Sequence, residues 1–374
     1  MVNNHDVWWH FFIKGELIQI YVSAALRYFA VSLIGIFIPL YLHIERGYSL
    51  ASTLHFFIFY SIVFAIMTPP AAKFAARYGM KHAVFLSVPF YLLFVGLLYL
   101  LPKFDIPLLI IAAMAGISQA FYWLGMHLVF HRASDRKHRG EEVGIRMAVS
   151  IGATILGPLL GGFLIVYFGF NIIFGLASII LLVSALVLFL SKENHVRYHF
   201  SIRSLVDKRH WQNSLFFVSR GSTNMSVGVI WPLFIFFILN DYFLLGVVGS
   251  ILPAISAVLL WLAGRYSDHV SKRTIVRWVV GFESLSWIIR ALVTTVGHVF
   301  GATIFGALTR GVIDSPLGAM EYDKAKKDIT TYFVNREIFV SLGRLLILTF
   351  VLMTNSLSGG LIFNGFTSLL ALIF

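Results

Sequence analysis

The 374-residue chain is 59% hydrophobic and only 12% charged, with a mean hydropathy of +0.85. That balance leaves too few polar groups to cover a globule in water, which excludes a soluble enzyme or binding domain and indicates a polytopic membrane protein. The net charge of +12 is accounted for by basic loops against anionic headgroups, without nucleic acid, and the absence of cysteine removes disulfides, thiolate catalysis and thiolate metal sites.

Apolar runs of about 20 residues, enough to cross about 30 Å of hydrocarbon as helices, recur along the chain. Trp8, Trp9, Phe11 and Phe12 precede the first run as an interfacial anchor. Helices are then predicted over 17–42, 50–74, 82–101, 106–130, 144–168 and 171–190. The first is a span and not a removable leader, since it carries Arg27 and no small-residue cleavage site follows. The polar stretch 191–210 reads as a linker lying along the membrane surface, and 321–337 resembles it. Six further helices are predicted over 211–239, 243–262, 274–295, 298–317, 334–353 and 356–374. The expected architecture is an all-α integral membrane protein of twelve spans, with one six-helix bundle in 1–190 and another in 211–374.

A short cassette after the second span is repeated about half a chain later. The first copy, 72–81, holds Ala72, Ala76, Arg77, Gly79 and Lys81, and the second, 264–273, holds Gly264, Asp268 and Arg273. The repeat points to an internal duplication. With the N-terminus placed in the cytoplasm, nearly all loop lysines and arginines fall inside, and the outer loops keep only Arg46 and Lys103. Both termini and both cassettes are therefore expected on the cytoplasmic side.

An ionisable side chain at the centre of a span costs about 2.5–3.5 kcal/mol on insertion scales, so it is tolerated mainly beside a cavity or a partner. Arg27, Arg220, Glu283, Arg290, Arg310, Asp314 and Arg344 lie inside the predicted spans. Three pairs share a helix face by spacing: Arg310 with Asp314, Glu283 with Arg290, and Glu337 with Arg344. Arginines outnumber acids, which favours an anionic or zwitterionic solute, although each arginine has the alternative role of a packing salt bridge. That alternative is the expectation for Arg290. Glu283, Asp314 and Glu337 are the carboxylates available for proton coupling, with Asp314 first. On the fourth span Gln119, Trp123, His127 and His131 follow at intervals of four. Gln119 and Trp123 are assigned to solute binding and the two histidines to a cytoplasmic gate. No third ligand accompanies the histidines, so no metal is expected. Asn224, four residues beyond Arg220, is placed to orient it. No nucleophile elbow, zinc-protease helix or phosphate loop occurs, so catalysis and cofactors are not expected.

The cassette resembles the loop signature of the major facilitator superfamily of secondary transporters, Gly-x-x-x-Asp-Arg-x-Gly-x-Lys between the second and third helices. Arg77, Gly79 and Lys81 match it, with Ala72 and Ala76 in place of the Gly and Asp. On the fifth span Gly144, Ala153, Gly157, Pro158, Gly161 and Gly162 are similar to the pattern of that family's proton-driven exporters. Close helix packing without information on direction is the alternative reading of the same residues. The resemblance implies two bundles rocking about a central site lined by the first, fourth, seventh and tenth helices. Arg27, Arg220 and Arg310 would then face the cavity, Arg344 would stand beside it and Glu283 further back. It also implies a latch through Asp268 that Ala76 cannot match. The arginine motif that such exporters carry on the fourth helix is absent.

The resulting expectation is proton-coupled efflux of a small organic solute by a monomer in a plasma or bacterial inner membrane. Its partners would be the solute, protons and lipids. An importer or exchanger of an organic anion or lipid-like solute is the first alternative, and a non-transporting receptor or assembly partner the second.

Overall fold

The computed structural model describes residues 15–133, 139–189, 198, 200–206, 211–266, 272–324 and 329–374. Among them every regular element is helical. The first pass, α1, runs over Gly15–Gly35 and continues through Ile38–Leu40 into a π-helical turn, Tyr41–Glu45. It is followed by α2 (Leu50–Tyr78), α3 (Met80–Leu100), α4 (Leu108–Ala133), α5 (Arg139–Phe168) and α6 (Phe170–Phe189). A 3-10 turn, Ile202–Val206, lies in the connection to α7, which comprises Trp211–Met225, a π-helical turn Ser226–Ile230, and Trp231–Leu239. Then come α8 (Tyr242–Tyr266), α9 (Lys272–Ala291), α10 (Val296–Lys324), α11 (Ile329–Thr354) and α12 (Leu357–Ser368), the last closing in a 3-10 segment, Leu369–Ile373.

Local chemistry explains the breaks. The hydroxyl of Ser49 accepts from the Ser52 N–H at 3.0 Å and so caps α2. Between α2 and α3 only Gly79 intervenes, at φ +111°, a left-handed region that a side chain would strain. The glycine of the cassette therefore makes the turn itself. The segment 321–337, expected as a surface linker, is instead helical through Lys324 and again from Ile329. Hydropathy marks only the part of a helix that sits in hydrocarbon, and α10 and α11 extend beyond theirs.

Among the described residues ten helices are long and apolar enough to cross a membrane, α9 and α12 being outside that set. The outward faces are apolar even on α9, where Trp278 is 74% exposed and Phe282 and Leu285 lie open beside it. Such a rim belongs against lipid.

Since short connections reverse the chain, successive helices alternate in direction. The end where α1 begins and α12 finishes is called here the terminal end, and the opposite one the far end. Helices α1–α6 pack on one another, α7–α12 do likewise, and the two groups meet mainly along α5–α8 and α2–α11. Glycines let the backbones touch. A Cβ on Gly221 of α7 would run into the Val340 carbonyl of α11, and one on Gly343 of α11 into the Val218 carbonyl of α7. Hydroxyls add polar glue: Ser23 of α1 and Ser184 of α6 each donate to the other's carbonyl oxygen at 2.8 Å.

Candidate functional site

One turn of α10 brings Arg310 and Asp314 onto the same face, where Arg220 of α7 meets them. Arg220 Nη1 donates to Asp314 Oδ1 at 2.8 Å, and Arg310 Nε donates to Asp314 Oδ2 at 3.2 Å. One carboxylate thus serves two guanidiniums. Glu283 of α9 stands nearby with donors of its own, Trp287 Nε1 at 3.0 Å and Thr309 Oγ1 at 2.7 Å. All four charged groups line one pocket with Ser219, Thr223 and Ser368. Its free space of about 30 Å³ admits about two waters and no solute in this conformation. Asp314 is 32% exposed and Arg220 26%, so the pair can be reached, whereas Arg310 is largely enclosed and its Nη1 has no hydrogen-bond partner among the described residues.

The other central arginines are placed differently. Arg27, expected to face the cavity, is 3% exposed and lies inside its own group of helices, with Cζ 3.7 Å from the Tyr122 ring centre and 5.5 Å from that of Tyr91. Arg290, expected in a salt bridge with Glu283, rests instead between Trp287 and Trp231, at 4.2 and 5.4 Å. Arg344 lies over Phe64 and Tyr60 of α2, at the seam between the groups. None of the three has an acid within ion-pair reach among the described residues. A ring contributes about 0.5–2 kcal/mol to a cation, less than the several kcal/mol that burying an ion costs, so these arginines are held at a net expense of stability.

At the terminal end, His127 of α4 meets α11 across the same seam. Its Nε2 lies 3.4 Å from Glu337 Oε1, and its ring stacks on Phe333 at 4.6 Å with a 5° interplanar angle. Glu337 also pairs with Arg336, whose Nε reaches Glu321 Oε2 of α10 at 3.3 Å. Trp123, half-buried one turn before His127, lies 6.2 Å from Tyr28, and Gln119 is half-buried a turn further in. Asn224 is exposed and makes no hydrogen bond to Arg220 among the described residues, so Asp314 orients that arginine instead.

At the far end the glycine pattern of α5 works on two sides. Gly157 and Gly161 take α1 at Ser32, Leu33 and Phe37, while Gly162 receives the Tyr242 carbonyl of α8. Gly246 of α8 answers by receiving the Pro158 carbonyl, and the Leu159 N–H donates to Ser250 Oγ at 3.1 Å. Around them Tyr242 gathers Phe37, Phe170 and Phe236 with ring centres 4.8–6.5 Å away.

In the cassettes, Arg77 is exposed over Tyr78 and Lys81 is buried. Gly264 lies on α8, whereas Asp268 and the side chains of Arg273 and His131 lie outside the described residues. Sequence reasoning missed Asn364, which is fully buried on α12 and accepts from Ser222 of α7 at 2.8 Å. An asparagine inside an apolar run was the signal available. It also missed Tyr242, Gly246 and Ser250, whose importance comes from the partner helix.

The family model described as Major Facilitator Superfamily matches residues 20–348. Among curated proteins the chain is similar to one from Bacillus subtilis (strain 168), "Uncharacterized protein YqgE", with 23% identity over 265 residues. The match takes in 66% of this chain and 61% of the Bacillus protein, so the chain spans less than two thirds of that relative's length.

Proposed function

This chain belongs to the major facilitator superfamily, and from that premise we propose that it moves a small organic solute across the membrane by alternating access, with proton-coupled efflux as its working direction. It is a multi-pass integral membrane protein. The proposal includes twelve spans with both termini cytoplasmic, on the strength of where lysine and arginine fall. It also includes a plasma or bacterial inner membrane, a monomeric carrier, and the two six-helix groups as the moving bodies.

One observation carries the reading. The two groups are joined by seams of unlike chemistry, glycine-to-backbone contact at the far end and a histidine–carboxylate pair with ring stacking at the terminal end. Seams that can open independently of each other are what alternating access requires. Asp314, Glu283 and Glu337 are the carboxylates proposed for coupling. The shared Asp314 favours, as a second reading, an organic anion as the solute.

The chain has no native cysteine, so single cysteines report access cleanly. One is placed at Phe237 near the far end and another at Trp123 near the terminal end, and each is labelled with a membrane-impermeant thiol reagent in vesicles under an imposed pH gradient. Labelling at the two positions is expected to change in opposite directions as the gradient is reversed. Labelling that stays fixed at both positions under either gradient would rule out alternating access.

A further inference from the structure

The arrangement around Asp314 has the form of an occupied ligand site. Its two oxygens are divided between arginines from two helices, Oδ1 to Arg220 of α7 and Oδ2 to Arg310 of α10. A paired-oxygen acceptor facing two forked donors is the geometry by which guanidinium groups recognise a carboxylate. The donors are not exhausted: Arg310 Nη1 is buried and has no hydrogen-bond partner among the described residues. The acceptor is the most exposed of the charged residues paired there, at 32%. We propose that Asp314 is an internal stand-in for the carboxylate of the solute, and that an organic monocarboxylate takes its place on Arg220 and Arg310. This rests on the reading of the chain as a transporter and names its substrate class.

Charge balance fixes the rest. The pocket contains two arginines and two carboxylates, and Glu283 keeps its own donors, Trp287 and Thr309. The charged groups around Asp314 are Arg220 from α7, Arg310 from its own helix and Glu283 from α9, while α12 contributes Ser368 and Ala371. Glu321 of α10 and Arg336 of α11 form the next pair toward the terminal end. A monoanion entering this neutral set leaves an uncompensated buried charge unless one carboxylate is neutralised. Asp314 therefore gives up its two hydrogen bonds to the incoming carboxylate and takes one proton from water onto its freed oxygen. One anion and one proton occupy the pocket together, so the acid and its proton travel the same way, which deepens the second, organic-anion reading and replaces proton-driven efflux by symport. A dianion does not satisfy the balance with a single proton.

The test uses the full-length protein in detergent or nanodiscs, with sodium benzoate as probe. Benzoate affinity is expected to strengthen toward tenfold per pH unit between pH 7.5 and 5.5, with one proton taken up per benzoate bound. In Asp314→Asn, affinity is expected to be at least about tenfold tighter than wild type at pH 7.5 and independent of pH, because the internal competitor is gone. Asp314→Ala gives a separate readout: sodium formate is expected to raise its unfolding midpoint above the value in sodium chloride of equal ionic strength, and to leave wild type unchanged. The stand-in role is overturned if benzoate binds equally well at both pH values, if it still binds an Arg220→Gln/Arg310→Gln protein, or if phosphate or chloride serves as well as formate. It is equally overturned if neither benzoate binding nor formate rescue is seen. Cysteine labelling under a pH gradient needs no anion. Reciprocal labelling with failed anion binding therefore removes the substrate class and leaves the transporter.

Discussion

Arg290 and Glu283 sit seven residues apart on one face of α9, and that spacing suggested a salt bridge. In the structure the residue at the shorter interval reaches first: Trp287, four positions on, donates to Glu283, while Arg290 lies on the indole. Arg310 and Asp314, four apart, do pair. Helical spacing was informative at one turn and misleading at two, and the link from Arg220 to Asp314 crosses between helices, where no spacing rule applies. Because Arg290 is buried with no acid in ion-pair reach among the described residues, Arg290→Met exchanges a poorly compensated charge for apolar packing and is expected to leave the unfolding midpoint unchanged or raise it. A marked fall in differential scanning fluorimetry would show that the charge is needed. His127 supports a different expectation, since His127→Phe keeps a ring against Phe333 and deletes the pair with Glu337. Losing about 1 kcal/mol of closing energy raises the open fraction about fivefold, to be read as faster labelling of a cysteine at Trp123.

Helices were legible wherever a long apolar run had to cross hydrocarbon, and their ends were not. The sequence of α10 and α11 continues in helix-compatible residues past the apolar stretch, so the expected linker at 321–337 became two helix ends. The glycines of α5 stood out in the sequence, whereas their counterpart Gly246 on α8 is meaningful only once the Pro158 carbonyl is seen against it. Gly246→Leu has no room at that contact. It is expected to lower the unfolding midpoint and to make a cysteine at Phe237 labelled under every gradient. Gly79 sets another limit at this scale. With φ at +111°, Gly79→Ala strains the turn between α2 and α3 by about 1–2 kcal/mol, measurable as reduced thermal stability with the helical content retained.

Across the whole molecule, the cassette's loop signature and the apolar composition carried the family and the all-helical membrane architecture, because membrane insertion constrains composition so strongly. The charged interior was legible as an inventory of residues and not as a set of contacts. Asp314 was singled out as an acid on α10, yet its two arginine partners are fixed by how α7 and α10 pack. Arg27 was expected to face the cavity, whereas its guanidinium lies against Tyr91 and Tyr122 on α3 and α4, inside its own group of helices.

The unlike seams give the two faces of the membrane unequal leverage. Contacts of carbonyl oxygen on glycine carry no net charge, so at the far end protons act chiefly on His43, whose ring meets Phe237 of α7 edge-on at 6.0 Å. The opposite end is fastened by imidazole, carboxylate and guanidinium, each of which answers to ions or protons. Conditions in the compartment bathing that end would bear most strongly on how long the protein stays shut toward it.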